Sequence, residues 1–297
     1  MHTIESAIQS TLLYFDIFDY PLSRDQLYFY LMHVKPERQE FERVLDQLQA
    51  VGQVCASSGW YYLPGREALI ATRQEGESHA RRLWGMAYQA AGRMRHLPFV
   101  RGIYLSGDLS KGVAGHDSDI DFFIITARRR VWICKLFLAI FRRIGRNNPE
   151  KLLCFNYLLS ESHLDLQERN LFTAAEVIGL APLYGLRLFR RFLRHNEWVA
   201  GYFPHYRRAP NEASCIYHGH SRRQKWAEFF LRNPLADGLE LLLPRIWRLA
   251  WGWKYRRQPQ TRSALLRGID RSYSKAHGYP TDREVLQEFT RRMEEAT

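Results

Sequence analysis

One stretch constrains the fold of this chain more than any other, residues 104–125, which read Tyr-Leu-Ser-Gly-Asp-Leu-Ser-Lys-Gly-Val-Ala-Gly-His-Asp-Ser-Asp-Ile-Asp-Phe-Phe-Ile-Ile. Two apolar runs, 102–105 and 120–125, have the length and the branched or aromatic content of short buried strands. Between them lie a Gly-Asp-Leu-Ser-Lys-Gly turn and a loop that ends in acidic residues. The stretch therefore predicts two core strands whose connection carries the polar groups.

Three aspartates, Asp117, Asp119 and Asp121, end that loop at the mouth of the second strand. Because side chains alternate along an extended strand, Asp119 and Asp121 point the same way and lie roughly 7 Å apart. Carboxylates beside an apolar strand are costly unless water or a cation neutralises them. Paired carboxylates with open positions suit Mg²⁺ (or Mn²⁺) carrying nucleotide phosphates. The alternative is a solvated acidic loop that caps the strand end.

Gly107, Gly112 and the Asp-Ser-Asp-Ile-Asp run from Asp117 resemble the signature of polymerase-beta-type nucleotidyltransferases, especially the small bacterial minimal members. That family has Gly-Ser-x-x-x-Gly, a short loop, and Asp-x-Asp on the next strand. The resemblance covers roughly residues 99–160. It implies an α+β fold with a mixed sheet flanked by helices. It also implies Mg²⁺-dependent transfer of a nucleoside monophosphate from a nucleoside triphosphate to a hydroxyl or phosphate acceptor.

The resemblance also assigns roles to residues of this stretch. In the family the Gly-Ser turn opens a helix and holds the nucleotide phosphates with backbone N–H groups. The two aspartates hold the metal ions, so Asp119 and Asp121 are expected to be the metal ligands and the catalytic residues. The expected nucleotide-binding residues form the turn: Ser106, Gly107, Asp108, Ser110, Lys111 and Gly112.

Two positions depart from the family pattern. The family serine after the first glycine is Asp108 here, and a carboxylate would repel phosphate unless it is protonated or cation-bound, although it could cap the helix. The family takes a third carboxylate from a later strand, whereas the strand-like run 152–159 offers Asn156, which cannot act as a base. Glu161 follows just beyond that run. These departures support the alternative function, a catalytically degenerate relative that binds nucleotide, RNA or a protein partner.

Residues 1–65 predict a winged-helix-like domain. Helices are expected from Ile4, after Pro21 and from Pro36, followed by a hairpin over 54–63. The third helix carries more acidic than basic residues, which makes it a poor surface for a phosphate backbone. We therefore favour a docking or structural role over duplex recognition.

Residues 66–160 are expected to form the nucleotidyltransferase core, and residues 161–297 a basic helical region. A helix is expected over 66–97, with Gly76 marking a break between the amino-terminal unit and this helix. The run 181–194 predicts an amphipathic basic helix. The superfamily places acceptor-binding elements after its core, which makes four arginines candidates for acceptor contacts, with a solvated helix face as the alternative: Arg187, Arg190, Arg191 and Arg194.

The positive charge is concentrated in the carboxy-terminal third of the chain. The formal net charge is +12, and residues 186–297 hold 22 Lys and Arg against 11 Asp and Glu. Such asymmetry indicates an anionic partner there, either nucleic acid or an acidic membrane surface. The tryptophan-rich stretch 235–257 suits core packing first, and alternatively an interfacial membrane helix or a base-stacking surface.

The chain carries signals of its compartment. Its four cysteines are widely scattered without metal-ligand spacing, which indicates reduced thiols. The first residues lack a basic region followed by a long apolar run, and no apolar run approaches the ~20 residues of a membrane span. These features predict a cytoplasmic protein of bacterial type without a transmembrane segment.

Overall fold

A computed structural model describes residues 3–144, 152–206, 214–219, 221–275 and 281–295. Its mixed helices and sheets confirm the α+β class. The helices are α1 (Ile4–Asp16), α2 (Arg24–Phe29), α3 (Arg38–Ala50), α4 (Leu69–Met94), α5 (Gly107–Ser110), α6 (Val131–Ile144), α7 (Leu171–Gly179), α8 (Leu186–His195), a 3-10 turn (Glu197–Gly201), α9 (Arg222–Phe230), α10 (Pro234–Lys254), α11 (Pro259–Arg267) and α12 (Thr281–Glu295). The strands are β1 (Leu22–Ser23), β2 (Cys55–Ser57), β3 (Trp60–Tyr62), β4 (Val100–Leu105), β5 (Ile120–Thr126), β6 (Leu153–Ser160), β7 (Ala181–Tyr184) and β8 (Tyr273–Lys275).

The amino-terminal part contains the three helices and the hairpin expected from the sequence. Ser23 caps α2, because its hydroxyl accepts from the N–H of Gln26 while the Gln26 side chain accepts from the N–H of Ser23. The hairpin of β2 and β3 is joined by the short β1, which gives an antiparallel sheet in the order β1-β3-β2. The sequence analysis did not anticipate β1.

The second sheet has five strands in the order β7-β4-β5-β6-β8. Strands β4 and β5 are antiparallel, β5 and β6 are parallel, and both outer strands are antiparallel to their neighbours. Parallel neighbours need a crossover connection, which α6 supplies. At one end of this sheet the N–H of Ser106 donates to the carbonyl of Asp121 over 2.9 Å, so the glycine turn and the acidic loop meet there.

Both outer strands come from the region expected to be helical, so that expectation is corrected in two places. Residues 181–184 form β7, and α8 begins only at Leu186. Pro182 has no N–H to donate, which is tolerated because β7 lies at the sheet edge. Gly185 separates strand from helix with φ +85, and a Cβ there would lie 2.5 Å from the carbonyl of Arg101. Strand β8 closes the opposite edge.

Gly76 does not mark a break, which corrects a second expectation. It lies buried inside α4. A Cβ on Gly76 would lie 2.7 Å from Cγ1 of Val113, and its carbonyl accepts from the N–H of Ala114 over 3.1 Å. The glycine therefore permits the segment after α5 to pack directly on the helix.

Hydrophobic side chains cover the five-stranded sheet on both faces. The amino-terminal helices share one core with α7, α8 and the sheet residues Tyr104 and Phe123. The other core joins α4, α6 and α10 to Ile103, Leu105 and Ile124. Within the described part of the chain, no helix combines the length and the apolar character that crossing a bilayer requires.

Candidate functional site

The glycine turn at Gly107 lies directly against the start of β5. Gly107 has φ +68, and a Cβ built on it would lie 2.8 Å from Oδ2 of Asp121. Only glycine combines this backbone conformation with so close an approach. Ser106 is the N-cap of α5, but its side chain makes no capping hydrogen bond. The end of β4 and the start of β5 therefore place the turn and the Asp121 carboxylate side by side.

Asp121 is a largely buried carboxylate with a strongly raised pKa. Its Oδ1 accepts a short hydrogen bond from the side-chain amide of Asn156 on β6, which opposes the shift described next. Burial is the largest cause that raises the pKa of Asp121 to about 7. The charges of three neighbouring carboxylates add to it: Glu176, Asp119 and Asp108. Four carboxylates thus lie close enough to one another to interact electrostatically at this site.

Asp119 of the acidic loop and Asp108 of the glycine turn both lie at the surface. Asp119 precedes β5 and is exposed. Asp108 is also exposed and is the second residue of α5, so it is not the N-cap that the sequence suggested. Its carbonyl accepts from the N–H groups of Lys111 and Val113. The acidic loop is held in part by Ser118, whose hydroxyl accepts from the N–H of Gly115 over 2.8 Å.

The remaining residues of the turn are held by internal contacts. The buried Ser110 hydroxyl donates to the carbonyl of Gly107 over 2.7 Å. Lys111 Nζ lies 2.9 Å from Oε1 of Glu176 on α7. Burial opposes the charge of Lys111, but Glu176 and then Asp108 hold the pKa of this lysine above its ordinary value. Gly112 has φ +86 and ends the turn. Lys111 is therefore turned towards a carboxylate.

Glu176 is the site residue that the sequence analysis missed. The family takes its third carboxylate from the next strand, and the residue there is Asn156, whose side-chain amide donates a hydrogen bond to Asp121. Glu161 lies elsewhere: its Oε1 accepts from the N–H of Arg128, beyond the far end of β5. A single acidic residue in the otherwise apolar α7 was the available signal for Glu176.

A cavity of about 100 Å³ opens beside the glycine turn and Asp121. Its wall includes Ser106, Gly107, Asp121, Asn156 and Glu176. A larger groove of about 450 Å³ shares five wall residues with this cavity: Tyr157, Leu166, Glu168, Thr173 and Lys275. The site therefore continues into a space large enough for part of a second ligand.

The four arginines proposed for the acceptor lie on α8. All four are exposed, while Phe189 and Phe192 hold the helix on the core. The described residues that line the cavity and the groove include His195 of this helix but none of the four arginines. A role for Arg187, Arg190, Arg191 and Arg194 in acceptor binding stays a prediction.

Among the described residues, no group of three or more His, Cys, Asp or Glu side chains is arranged to hold a metal ion by itself. No family model, curated protein or solved structure matches this chain. The geometry alone therefore carries the functional argument. Mg²⁺ commonly binds through one or two carboxylates together with the phosphates of its substrate. Asp119 and Asp121 fit that donor set, and a cation would favour the ionised form of Asp121, which burial and then the neighbouring carboxylates disfavour.

Proposed function

We propose that the chain binds a nucleoside triphosphate with Mg²⁺ at the Asp121 cavity and transfers the nucleoside monophosphate to an acceptor. The observation that carries this proposal is the meeting of the Gly107 turn with Asp121 in a cavity that also holds Glu176. The turn offers backbone that phosphate oxygens can approach closely. The order β4–turn–β5–α6–β6 agrees with the family that the sequence resembles and supports the same reading.

Each residue has a part in the proposed reaction. Asp119 and Asp121 would hold Mg²⁺, which when bound neutralises charge on the phosphate oxygens. Asn156 orients Asp121 through its amide. The acceptor oxygen forms a bond to the α-phosphorus, the bond from that phosphorus to the bridging oxygen of the β-phosphate breaks, and pyrophosphate leaves. Glu176 takes the proton that a hydroxyl acceptor releases, since Asn156 cannot.

Lys111 positions Glu176 in this proposal. Its ammonium is largely buried and lies 2.9 Å from Oε1 of Glu176, which fixes the carboxylate at the cavity wall. A negatively charged triphosphate in the cavity competes with Glu176 for this ammonium. This competition weakens the ion pair between Lys111 and Glu176, and the proton affinity of Glu176 therefore rises when the substrate is bound.

Calorimetric titration with each nucleoside triphosphate and Mg²⁺ tests the binding part of the proposal. We expect Mg²⁺-dependent binding that Asp119→Ala/Asp121→Ala abolishes. Asp117→Ala is the matched control, because it removes a carboxylate from the same exposed loop and should keep the affinity. Absence of binding by the wild-type protein would overturn the proposal.

Release of labelled pyrophosphate tests the chemical part. Glu176→Gln should lower the rate strongly while Mg²⁺-dependent binding persists, since the substitution removes the base and keeps the shape. If the wild-type protein binds nucleotide but releases no pyrophosphate with any hydroxyl or phosphate acceptor offered, the second candidate function stands. That candidate is a nucleotide-binding relative without catalysis, favoured by Asp108 in the turn and by the amide of Asn156 at the third position.

A further inference from the structure

Helix α10 exposes a row of apolar side chains along one side. They follow one another at intervals of four, three, four, three and four residues, the spacing that keeps side chains on one side of a helix. Their exposed fractions run from 38% to 85%. The line is roughly 27 Å long at about 1.5 Å per residue. We call it the apolar stripe: Leu235, Leu239, Leu242, Ile246, Leu249 and Trp253.

A different side of α10 attaches the helix to the protein. Leu243 is buried in the core beside α6. The ring of Trp247 packs 6.0 Å from that of Trp132. Glu240 accepts from the N–H groups of Trp132 and Ile133 at 2.9 and 2.8 Å, which caps the start of α6. The stripe is therefore additional to the surface that holds α10 in place.

Helix α9 buries polar side chains and exposes aromatic ones. The buried Gln224 donates to the carbonyl of Val100 over 2.6 Å, and the buried Glu228 binds Arg101 through two contacts of 2.7 Å. The exposed side chains include what we call the aromatic cluster, 66% to 71% exposed: Trp226, Phe229 and Phe230. The inverted pattern means that α9 is anchored by hydrogen bonds while its apolar surface faces outwards.

The same segment carries a strong positive charge. Residues 222–257 contain nine Lys and Arg against three acidic residues. Each acidic residue is engaged within the protein: Glu228 with Arg101, Glu240 with the start of α6, and Asp237 with Arg130 over 2.7 Å. All nine basic residues are exposed: Arg222, Arg223, Lys225, Arg232, Arg245, Arg248, Lys254, Arg256 and Arg257.

This combination distinguishes between possible occupants of the surface. A second copy of the chain would bring an equally basic segment against the first, and like charges at close range are unfavourable. Nucleic acid would neutralise the arginines but would leave a stripe of leucines facing a phosphate backbone. An anionic bilayer meets both needs, because its headgroups attract Lys and Arg while leucine, phenylalanine and tryptophan enter the interface.

We propose that residues 222–257 dock flat on an anionic phospholipid surface. The apolar stripe and the aromatic cluster enter the boundary between headgroups and acyl chains, and the exposed arginines contact lipid phosphates. Trp253 illustrates the arrangement, since its ring is 72% exposed and the guanidinium of Arg256 lies 4.9 Å from its centroid. This docking is independent of the nucleotide site and stands or falls separately from it.

Co-sedimentation of the full chain with vesicles tests the proposal. We expect binding to an equal mixture of phosphatidylcholine and phosphatidylglycerol, and much weaker binding to phosphatidylcholine alone. Leu249→Ser should weaken the partition about tenfold, the loss expected when one leucine side chain is no longer buried in the interface. Val51→Ser is the matched control, because Val51 is 69% exposed against 76% for Leu249 and lies outside this segment.

Charge-reversal variants measure how much the exposed arginines contribute to vesicle binding. Arg245→Glu/Arg257→Glu should weaken binding to the anionic vesicles about tenfold or more, and added salt should have the same effect on the wild-type protein. Arg81→Glu/Arg283→Glu carries the same change of charge on exposed arginines elsewhere and should keep most of the binding.

Three outcomes would overturn the proposal. One is equal binding to neutral and anionic vesicles. Another is no vesicle binding, together with a dimer in solution that Leu249→Ser dissociates, which would assign the surface to a second copy. The third is retention on single-stranded nucleic acid without vesicle binding. Circular dichroism of each variant establishes that a loss of binding reflects the surface and not the fold.

Discussion

At the scale of single residues, the site depends on a glycine without a Cβ and on carboxylates that lie close together. Gly107 has no side chain, and this absence is required, because its positive φ and its close approach to Oδ2 of Asp121 leave no room for a Cβ. Gly112 also has positive φ, but a Cβ there would meet nothing within 4 Å. The two glycines of the motif are therefore required for different reasons, one for contact and conformation, the other for conformation alone.

Gly107→Ala should lower the free energy of unfolding by about 2–3 kcal/mol, because a strained backbone adds to a contact that displaces Asp121. Gly112→Ala should cost only the conformational part, about 1–2 kcal/mol. Urea denaturation of both variants measures the difference. Equal losses would show that the Gly107–Asp121 approach carries no energy of its own.

Asp121 also predicts a dependence of stability on pH. Its pKa is raised from 3.8 to about 7 in the folded protein, so the unfolded chain gives up this proton more easily. Folding stability therefore falls as the pH rises between these two values, by up to about 4 kcal/mol. The charges that act on the carboxyl group of Asp121 are the carboxylates of Glu176, Asp119 and Asp108.

Asp121→Asn removes this titration. Relative to the wild type, the variant should gain stability at about pH 8 and gain little at about pH 4. Thermal unfolding across this range is the measurement, with Asp117→Asn as the matched substitution in the same loop. Mg²⁺ at about pH 8 should raise the unfolding temperature of the wild type and leave Asp121→Asn unchanged, because the cation favours the ionised carboxylate. A constant difference in stability between the two proteins across pH would contradict the raised pKa of Asp121.

At the scale of elements, the packing of α10 on α6 surrounds a buried lysine. Lys135 of α6 donates to the hydroxyl of Ser274 over 2.5 Å. Its Nζ lies 4.3, 5.3 and 5.7 Å from the ring centroids of three tryptophans: Trp251, Trp132 and Trp247. Two tryptophans of the tryptophan-rich stretch thus pack inwards, as the sequence analysis favoured, whereas Trp253 points outwards.

Burial lowers the pKa of Lys135 to about 7. The unfolded chain therefore binds this proton more tightly, and folding stability rises as the pH increases from about 7 towards the ordinary lysine value of 10.5. Lys135→Met abolishes this rise. We expect the stability of the wild type relative to Lys135→Met to improve steadily over that interval in urea denaturation. A pH-independent difference would mean that the tryptophan rings stabilise the ammonium enough to offset its burial.

At the scale of the whole molecule, the two ends of the described chain meet. Asp16 of α1 is only 9% exposed and binds Arg66, over 2.7 Å, and Arg292 of α12. The rings of Tyr14 and Phe289 pack edge to face at 5.6 Å beside them. One carboxylate thus connects the first helix, the segment before α4 and the last helix.

Asp16→Ala should lower the free energy of unfolding by about 2 kcal/mol, because two arginines lose a largely buried partner. Asp25→Ala removes an exposed partner of Arg38 and should cost less than about 1 kcal/mol. Hydrogen exchange in α12 reports where the loss falls. Unchanged exchange in that helix would show that Arg292 is not held by Asp16.

The sequence predicted the parts of this molecule that local patterns specify. Helices begin at Ile4 and after Pro21 as the sequence predicted, and the run 120–125 is a strand because it is short and apolar. The motif predicted that the connection between two neighbouring core strands carries the polar groups, and β4, the turn and β5 have this order. Local periodicity suffices wherever the deciding contacts are close in sequence.

The rest depends on contacts between distant segments. Strand β7 resembles the start of a helix until its pairing with β4 is known, and Gly76 resembles a break until Val113 packs on it. Glu176 joins the site because α7 packs against α5 and places this side chain in the wall of the cavity that Asp121 also lines, which no spacing in the sequence encodes. Acceptor binding by the α8 arginines and the metal roles of Asp119 and Asp121 remain predictions.

Both edge strands follow the three central strands in the sequence, which has a consequence for biosynthesis. Strand β7 ends at Tyr184 and β8 at Lys275, so the five-stranded sheet can close only after residue 275 has been made. Until then β4 and β6 present unpaired backbone groups at both edges, the kind of surface along which incomplete chains associate. Premature termination before residue 273 should therefore yield insoluble protein rather than a smaller folded core, because β6 then lacks its edge partner.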